Sequence, residues 1–412
     1  MAGFVRRDAE LTCDGVSLAE IARAAGTPVY VYSRALIEEN YRRFDAAFAA
    51  VPHVVCYATK ANSNLSVLRC LAAQGAGADV VSGGELKAAM EAGFPAGRIV
   101  FSGVGKTEAE IAFAVEAGIL AFNAESEREI EKISAAAAAA GRTARIALRV
   151  NPDIDAKTHP YISTGLAHNK FGISIARARA VYEKARNLPG LSPTGVQAHI
   201  GSQITDAAVL TETARELARL ARELLSAGFR LETLDVGGGI GIATDEGPGL
   251  SPEAYAAAVL PELSGVPLTI LTEPGRAITG PAGALLTRVL DVKENSGKLF
   301  VVTDAGMNDL IRPALYAANH PIEAVALRGQ QCVADVVGPV CESSDFFARD
   351  RKMDRPREGD LLAIRDAGAY GFAMSSNYNF RPRPAEVLVE EGRFRVVRRR
   401  ETWEDLTAPE RV

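Results

Sequence analysis

The feature that most constrains this chain is a rhythm. Short apolar runs recur at 54–58, 78–81, 99–101, 120–123, 145–150, 194–199, 233–236 and 268–273. Amphipathic or alanine-rich runs lie between them, near 64–74, 84–92, 107–117, 125–140, 174–187, 206–227 and 252–263. The first set reads as buried strands and the second as helices. Ala135–Ala140 is a strong helix former, and Gly141 predicts its stop. Eight such strand–helix units over roughly 250 residues match the size and pattern of a (β/α)8 barrel. A doubly wound open sheet has the same alternation, and periodicity alone does not separate the two.

Outside this region the pattern differs. Residues 1–28 read as an N-terminal arm with a small hairpin turning at Asp14-Gly15 and a helix over Leu18–Ala25. Val29–Tyr32 is strand-like, and Ser33 is placed to cap a helix running to about Ala50. Beyond about residue 280 the chain turns to strands: Leu285–Val292, Leu299–Thr303, Ile322–Arg328, Val333–Val337, Leu361–Arg365 and Glu386–Arg399, the last with a hairpin turn at Glu391-Gly392. Asp350–Asp360 reads as a charged surface loop and Thr402–Val412 as a loose tail. The expected organisation is a barrel over 29–279 and a mostly β domain built from 1–28 and 280–412.

Composition narrows the function. The 412 residues are 48% hydrophobic and 24% charged, as in a folded, soluble chain. A net charge of -5 gives no electrostatic footprint for nucleic acid or an anionic membrane. The first residues lack the apolar core of a signal peptide, and no run approaches a membrane span. Five cysteines without metal-type spacing read as reduced thiols in a cytoplasmic protein, with Cys56 and Cys70 in the core. The five histidines are scattered, so no metal site is expected; His53, His159, His168 and His320 read as loop or surface residues.

In a barrel the working residues follow the strands. The first strand is followed by Lys60, in Tyr57-Ala58-Thr59-Lys60-Ala61-Asn62. This lysine is either a solvated loop charge or an amine held inside a site. The second gives Asp79 and Ser82-Gly83-Gly84-Glu85, the sixth His199-Ile200-Gly201-Ser202, the seventh Gly237-Gly238-Gly239 and the eighth Glu273-Pro274-Gly275-Arg276. A glycine triplet after a strand is a tight turn or a cradle of N–H groups for an anion. It does not fit the dinucleotide fingerprint. Glu273 beside Arg276 is a surface ion pair or part of a site, and a lone His199 is often a satisfied core residue. Together, a lysine, a phosphate cradle, an acid and a flat aromatic ring are the parts that pyridoxal phosphate requires.

Longer motifs then carry a resemblance. They are Tyr57–Asn62, Asp79–Glu85, His159–Ile173, His199–Gln203, Asp235–Gly239, Glu273–Arg276, Met307–Tyr316, Gly338–Asp345 and Asp366–Gly371. Over nearly its whole length the chain resembles the barrel-type, alanine-racemase-like pyridoxal-phosphate decarboxylases of basic amino acids, most closely the diaminopimelate decarboxylases. The resemblance implies that Lys60 holds the cofactor covalently and that His199 stacks on its ring. Gly238 and the backbone of Glu273, Pro274, Gly275 and Arg276 would bind its phosphate. Glu273 would pair with the ring nitrogen, and Asp79 and Tyr370 would border the cofactor. Cys341 would be the acid that reprotonates the substrate carbon, contributed by the other subunit of a homodimer. Arg276, Arg312, Tyr316, Glu342 and Tyr370 would bind the substrate.

Chemistry supports this assignment. A carboxylate on the ring nitrogen keeps it cationic and favours the electron-sink route that decarboxylation needs. Two guanidiniums and a phenol suit a distal carboxylate, and Glu342 suits a distal ammonium. The expected reaction is meso-2,6-diaminopimelate to L-lysine and carbon dioxide, the last step of lysine biosynthesis. The alternatives are decarboxylation of a related D-amino acid or basic amino acid such as D-lysine or D-ornithine, and a non-catalytic regulator that binds a true enzyme. The segment 159–173 is long enough to act as a lid.

Overall fold

The computed structural model describes residues 2–155, 165, 169–244 and 247–412. His159, His168 and most of the proposed lid segment lie outside the described residues. The chain forms two compact units: Asn40–Ala243 with Pro248–Ala277, and Met1–Glu39 with Thr244–Gly247 and Ile278–Val412.

The first unit is built on eight parallel strands: β1 (His53–Ala58), β2 (Gly77–Val80), β3 (Ile99–Phe101), β4 (Ala121–Ala124), β5 (Ala144–Asn151), β6 (Leu191–Gln197), β7 (Thr233–Asp235) and β8 (Thr269–Thr272). They pair in the order β5-β6-β7-β8-β1-β2-β3-β4, and β4 pairs with β5 to close the ring. Closure excludes the open sheet. A two-residue strand, Ile173–Ser174, adds to the end of β5. Each apolar run expected from the sequence coincides with one strand. Val55, Cys56, Tyr57, Val80, Phe101, Val196 and Leu234 are all fully buried, as strands enclosed by helices require.

Helix starts are fixed locally. Asn64, Ser82, Thr107, Ser126, Asp206 and Ser251 each accept a hydrogen bond from a backbone N–H in the first turn of the helix after them. Such a cap stabilises by about 1 kcal/mol. Ser82 and Ser126 sit two residues beyond their strands, whereas Ser251 follows β7 by sixteen; all these loops leave the C-terminal strand ends at one rim of the barrel.

The second unit carries a three-stranded N-terminal sheet and, among the described residues, a nine-stranded sheet. Asp14 (φ 46) and Gly15 (φ 85) both take left-handed backbone, making the expected tight turn. Glu391 (φ 51) and Gly392 (φ 72) do the same between Ala385–Glu390 and Arg393–Arg398. The core of this unit packs Leu11, Leu18 and Ile21 against Val29, Val31, Leu286, Val387 and Val389.

Several expectations are corrected here. Val29–Ser33 does not open the barrel unit; it pairs with Gly283–Leu286 on one side and Ala385–Val389 on the other, which draws residues 1–39 into the β-rich unit. Asp350–Asp354 is not loop but the end of a nine-residue strand, Phe346–Asp354, in which Arg349, Asp350 and Lys352 are exposed while Phe347, Met353 and Asp354 are buried. The terminal segment is not loose at its start: Trp403–Thr407 is a helical turn with a Thr402/Asp405 capping box. His320 is buried, at 3% exposure, and its Nδ1 lies 2.8 Å from the Arg365 carbonyl oxygen. No helix among the described residues is long and apolar enough to cross a membrane.

Candidate active site

Because the barrel strands are parallel, the loops at their C-terminal ends share one rim. Lys60 sits in the turn Thr59–Ala61 just past β1, and its Nζ is 3.0 Å from Asp79 Oδ2 on β2. Asp79 is fully buried, while the lysine side chain keeps 33% exposure, so the amine is anchored but reachable. Thr59 Oγ1 donates to the Asp79 carbonyl oxygen (2.9 Å) and to Glu85 Oε2 (2.6 Å), which also accepts from Val81 N–H. Glu85 thereby ties the lysine turn to the loop after β2. The Lys60 amine is therefore paired with a buried carboxylate and is not a freely solvated loop charge.

Glu273 follows β8 and is buried. Asn123 Nδ2 on β4 donates to its Oε1 (3.1 Å), and Gln197 Nε2 on β6 donates to both oxygens (3.3 and 3.1 Å). Burial raises the Glu273 pKa well above the carboxylate range, and repulsion from Asp235 and Asp79 adds to the rise. Asp235, at the end of β7, is itself pushed up to about 7, chiefly by burial. Glu273 is thus a buried acid whose ionisation is disfavoured by burial and by its acidic neighbours. It is not in a surface ion pair, and the Arg276 guanidinium donates to Ser202 Oγ at 3.0 Å.

His199 follows β6, and its Nδ1 accepts from Gly238 N–H at 3.3 Å. Burial, with the nearby Lys60 and Arg149 charges, lowers its pKa well below the usual imidazole range. The ring is neutral and its position is fixed by a backbone donor. Around it the backbone is crowded. A Cβ on Gly238 would lie 2.0 Å from the Glu273 carbonyl oxygen, and one on Gly239 would lie 2.0 Å from that of Gly201. Only glycine lets the loops after β6, β7 and β8 approach this closely.

Four residues not expected from the sequence belong to this rim. Asn123 and Gln197 hold Glu273. Arg149 on β5 forms a buried pair with Glu125 (2.8 Å), and its guanidinium reaches the His199 carbonyl oxygen at 3.5 Å. Glu125 also accepts from Gly103 N–H and Gly172 N–H. Each is a polar residue within two positions of the C-terminal end of a barrel strand. That position in a strand is the signal by which a sequence could betray them.

The remaining predicted residues lie in the β-rich unit. Arg312 is buried, with its guanidinium over the rings of Tyr316 (5.6 Å) and Tyr370 (6.0 Å). Cys341 is exposed. Next to it, Glu342 Oε2 accepts from Tyr378 Oη at 2.7 Å, and Oε1 accepts from Ser344 Oγ. Asp345 is turned inward onto the Met307 and Val340 N–H groups.

Comparison with known proteins gives this arrangement its family. Residues 34–280 match the pyridoxal-dependent decarboxylase, pyridoxal binding domain. A diaminopimelate decarboxylase of Pseudomonas aeruginosa is 51% identical over 412 residues, covering 100% of this chain and 99% of the relative. The chain belongs to the diaminopimelate decarboxylases. Among solved members of that family, the Helicobacter pylori enzyme complexed with L-lysine superposes with a TM-score of 0.92 at 44% identity, covering 95% of this chain and 98% of that one. The M. jannaschii enzyme in co-complex with L-lysine gives 0.95 at 40% identity, covering 100% and 99%.

The cofactor of this pyridoxal-dependent family is pyridoxal phosphate, and the residues present fit it. Among the described residues, Asp79 Oδ1, Asn123 Oδ1, Gln197 Oε1 and Asp235 Oδ2 are buried without a hydrogen-bond partner. Such a cluster of unmet polar atoms is costly in an apolar barrel and characteristic of a site that binds a polar group. The glycine loops and the lysine complete the donor set that a phosphate and an aldehyde require.

Proposed function

We propose that this chain decarboxylates meso-2,6-diaminopimelate to L-lysine, the last step of lysine biosynthesis. The observation that carries the reading is Glu273: a buried acid held by two side-chain donors at the same rim as Lys60 and the glycine loops. Pyridoxal phosphate supplies the electron sink for the pair left on the α-carbon as carbon dioxide departs. Lys60 would hold it covalently. Gly238 and the backbone of Glu273, Pro274, Gly275 and Arg276 would hold its phosphate. Glu273 would face the ring nitrogen and, as a carboxylate, favour its cationic form. Neutral His199 would cover the ring without adding a competing charge, and Asp79 would hold the Lys60 amine in place whenever it is not tied to the cofactor.

Arg276, Arg312 and Tyr316 take the distal carboxylate of the substrate, Glu342 takes its distal ammonium, and Tyr370 borders the cofactor. Cys341 returns a proton from its thiol to the α-carbon. The functional unit is a homodimer in which Cys341 and Glu342 serve the partner's site. Their exposure on the single chain supports that role. Full-length kinship with diaminopimelate decarboxylases supports the substrate, and a distal amino-acid head is what separates diaminopimelate from simple diamine precursors.

The test is a substrate comparison. Cofactor-loaded protein is given meso-diaminopimelate, D-lysine, D-ornithine and L-lysine separately, and carbon dioxide release is followed. Turnover of diaminopimelate at least about 100-fold above the others is expected, because losing a paired distal carboxylate costs about 2–3 kcal/mol. Preference for a substrate without that carboxylate would overturn the assignment.

A further inference from the structure

Three segments of the β-rich unit meet around Cys341. One is the loop 338–345 that carries it. The second is the loop 304–310 leading to Arg312. Asp345 joins the two, accepting from Met307 N–H through Oδ1 (2.7 Å) and from Val340 N–H through Oδ2 (2.6 Å). A Cβ on Gly338 would fall 2.5 Å from both carboxylate oxygens, so the clasp depends on glycine there.

The third segment, 376–381, reaches both loops. Ser376 N–H donates to the Asn308 carbonyl oxygen at 2.8 Å. Tyr378 Oη donates to Glu342 Oε2 at 2.7 Å, and Asn379 Oδ1 accepts from Cys341 N–H at 3.0 Å. Its far side is pinned as well: Asn377 Nδ2 donates to Glu401 Oε2 (2.7 Å) and Arg381 to the Asp304 carbonyl oxygen (2.8 Å). Asn379 (φ 53) and Phe380 (φ 58) are successive non-glycine residues in left-handed backbone. Strain of this kind persists where surrounding contacts over-determine it, and it concentrates at functional segments. Tyr378 and Phe380 are 45% and 55% exposed, so core packing does not account for the conformation.

We propose that residues 376–379 form a strap that positions the proton-donor loop, with Asn379 fixing the backbone at Cys341 and Tyr378 aiming the Glu342 carboxylate. The proposal rests on the reading of Cys341 as proton donor and Glu342 as partner of the distal ammonium. Proton return to carbon needs the thiol within hydrogen-bond reach of one atom, and a loop loose by an ångström loses most of that advantage. The Asn379 amide oxygen removes the freedom of the peptide unit that carries the thiol. Tyr378 and Ser344 occupy one Glu342 oxygen each, leaving an oriented anion for a cationic partner. Neither residue touches the reacting atoms, so both are positioning residues.

The two contacts predict separable defects in the cofactor-loaded enzyme. Asn379→Ala lowers kcat about tenfold with KM within about twofold, and Tyr378→Phe raises KM about fivefold with kcat within about twofold. Asn379→Asp, whose carboxylate accepts the same N–H, recovers most of the kcat. Amide hydrogen exchange of the peptide containing Cys341 supplies a readout independent of turnover: it accelerates in Asn379→Ala and stays near wild type in Asn379→Asp and Tyr378→Phe. Wild-type exchange or wild-type kcat in Asn379→Ala overturns the strap. So does a parallel loss in kcat, KM and melting temperature that Asn379→Asp fails to rescue. If the wild type itself releases no carbon dioxide from diaminopimelate, the functional reading fails, and the exchange experiment alone then decides whether Asn379 fixes the loop.

Discussion

Glu273 is a single residue whose burial works against its own ionisation. Its pKa and that of Asp235 are raised by burial, Asp235 to about 7. The cofactor-free folded chain therefore holds protons that the unfolded chain has released. For such groups the stabilisation is complete below the unfolded carboxylate pKa and is lost as pH rises through the folded value. Glu273→Gln replaces a group whose ionisation burial disfavours with an amide that stays neutral at every pH. In the cofactor-free protein it is expected to be more stable than wild type at about pH 8, by about 1–2 kcal/mol, and close to wild type at about pH 5.5. In the loaded enzyme the same change lowers kcat by about 100-fold or more. Thermal melts at the two pH values check the first half, and a Gln variant less stable at the higher pH contradicts it. Lys60, His199 and Glu273 were legible in the sequence because each ends an apolar run inside a recognisable motif. Asn123, Gln197 and Arg149 were not, because one polar residue within a strand looks like noise until closure of the barrel aims it at a partner.

At the scale of elements, the barrel wall contains a buried ion pair that packing alone does not require. Lys106 Nζ lies 2.6 Å from Glu129 Oε1, both side chains nearly inaccessible, and it also donates to the Asn123 and Gly103 carbonyl oxygens. Glu129 in turn accepts from Glu125 N–H. The pair fastens the helix Glu127–Ala139 to the loop after β3 and to the end of β4, where Asn123 holds Glu273. Lys106→Met leaves a buried carboxylate without its cation, and a loss of about 3–5 kcal/mol in denaturant unfolding is expected. Lys106→Met with Glu129→Leu should recover much of it, since replacing both charges removes the desolvation cost. A single variant within about 1 kcal/mol of wild type would show the pair to be dispensable. Eight strands and the helices between them could be read from periodicity because buried parallel strands are apolar throughout. Phe346–Asp354 escaped because it has the opposite character: an outward row of Arg and Asp makes a strand look like a loop, and only its pairing with Gln331–Val337 reveals it.

At the scale of the whole molecule, the proposed roles of Lys60 and Cys341 call for two chains. Lys60 lies in the barrel unit, while Cys341 and Glu342 lie exposed in the β-rich unit and are assigned to the partner's site. Mixing inactive Lys60→Ala and inactive Cys341→Ala proteins under conditions of subunit exchange should therefore restore about a quarter of wild-type activity. A statistical mixture is half heterodimer, and each heterodimer holds one site with both groups intact. Failure to regain activity while exchange is demonstrated by mass would place both groups in one chain's site. The two-unit organisation was visible in the change of rhythm near residue 280. Its boundary at the N-terminus was not, because the partners of Val29–Ser33 lie some 250 to 360 residues further along the chain.

The most direct measurement tracks L-lysine by mass as purified protein, loaded with pyridoxal phosphate, is incubated with meso-2,6-diaminopimelate. The account predicts stoichiometric lysine and carbon dioxide, abolished in Lys60→Ala and slowed by at least about 100-fold in Cys341→Ala. A loaded wild-type protein that forms no lysine, or a Lys60→Ala variant that still does, would contradict it.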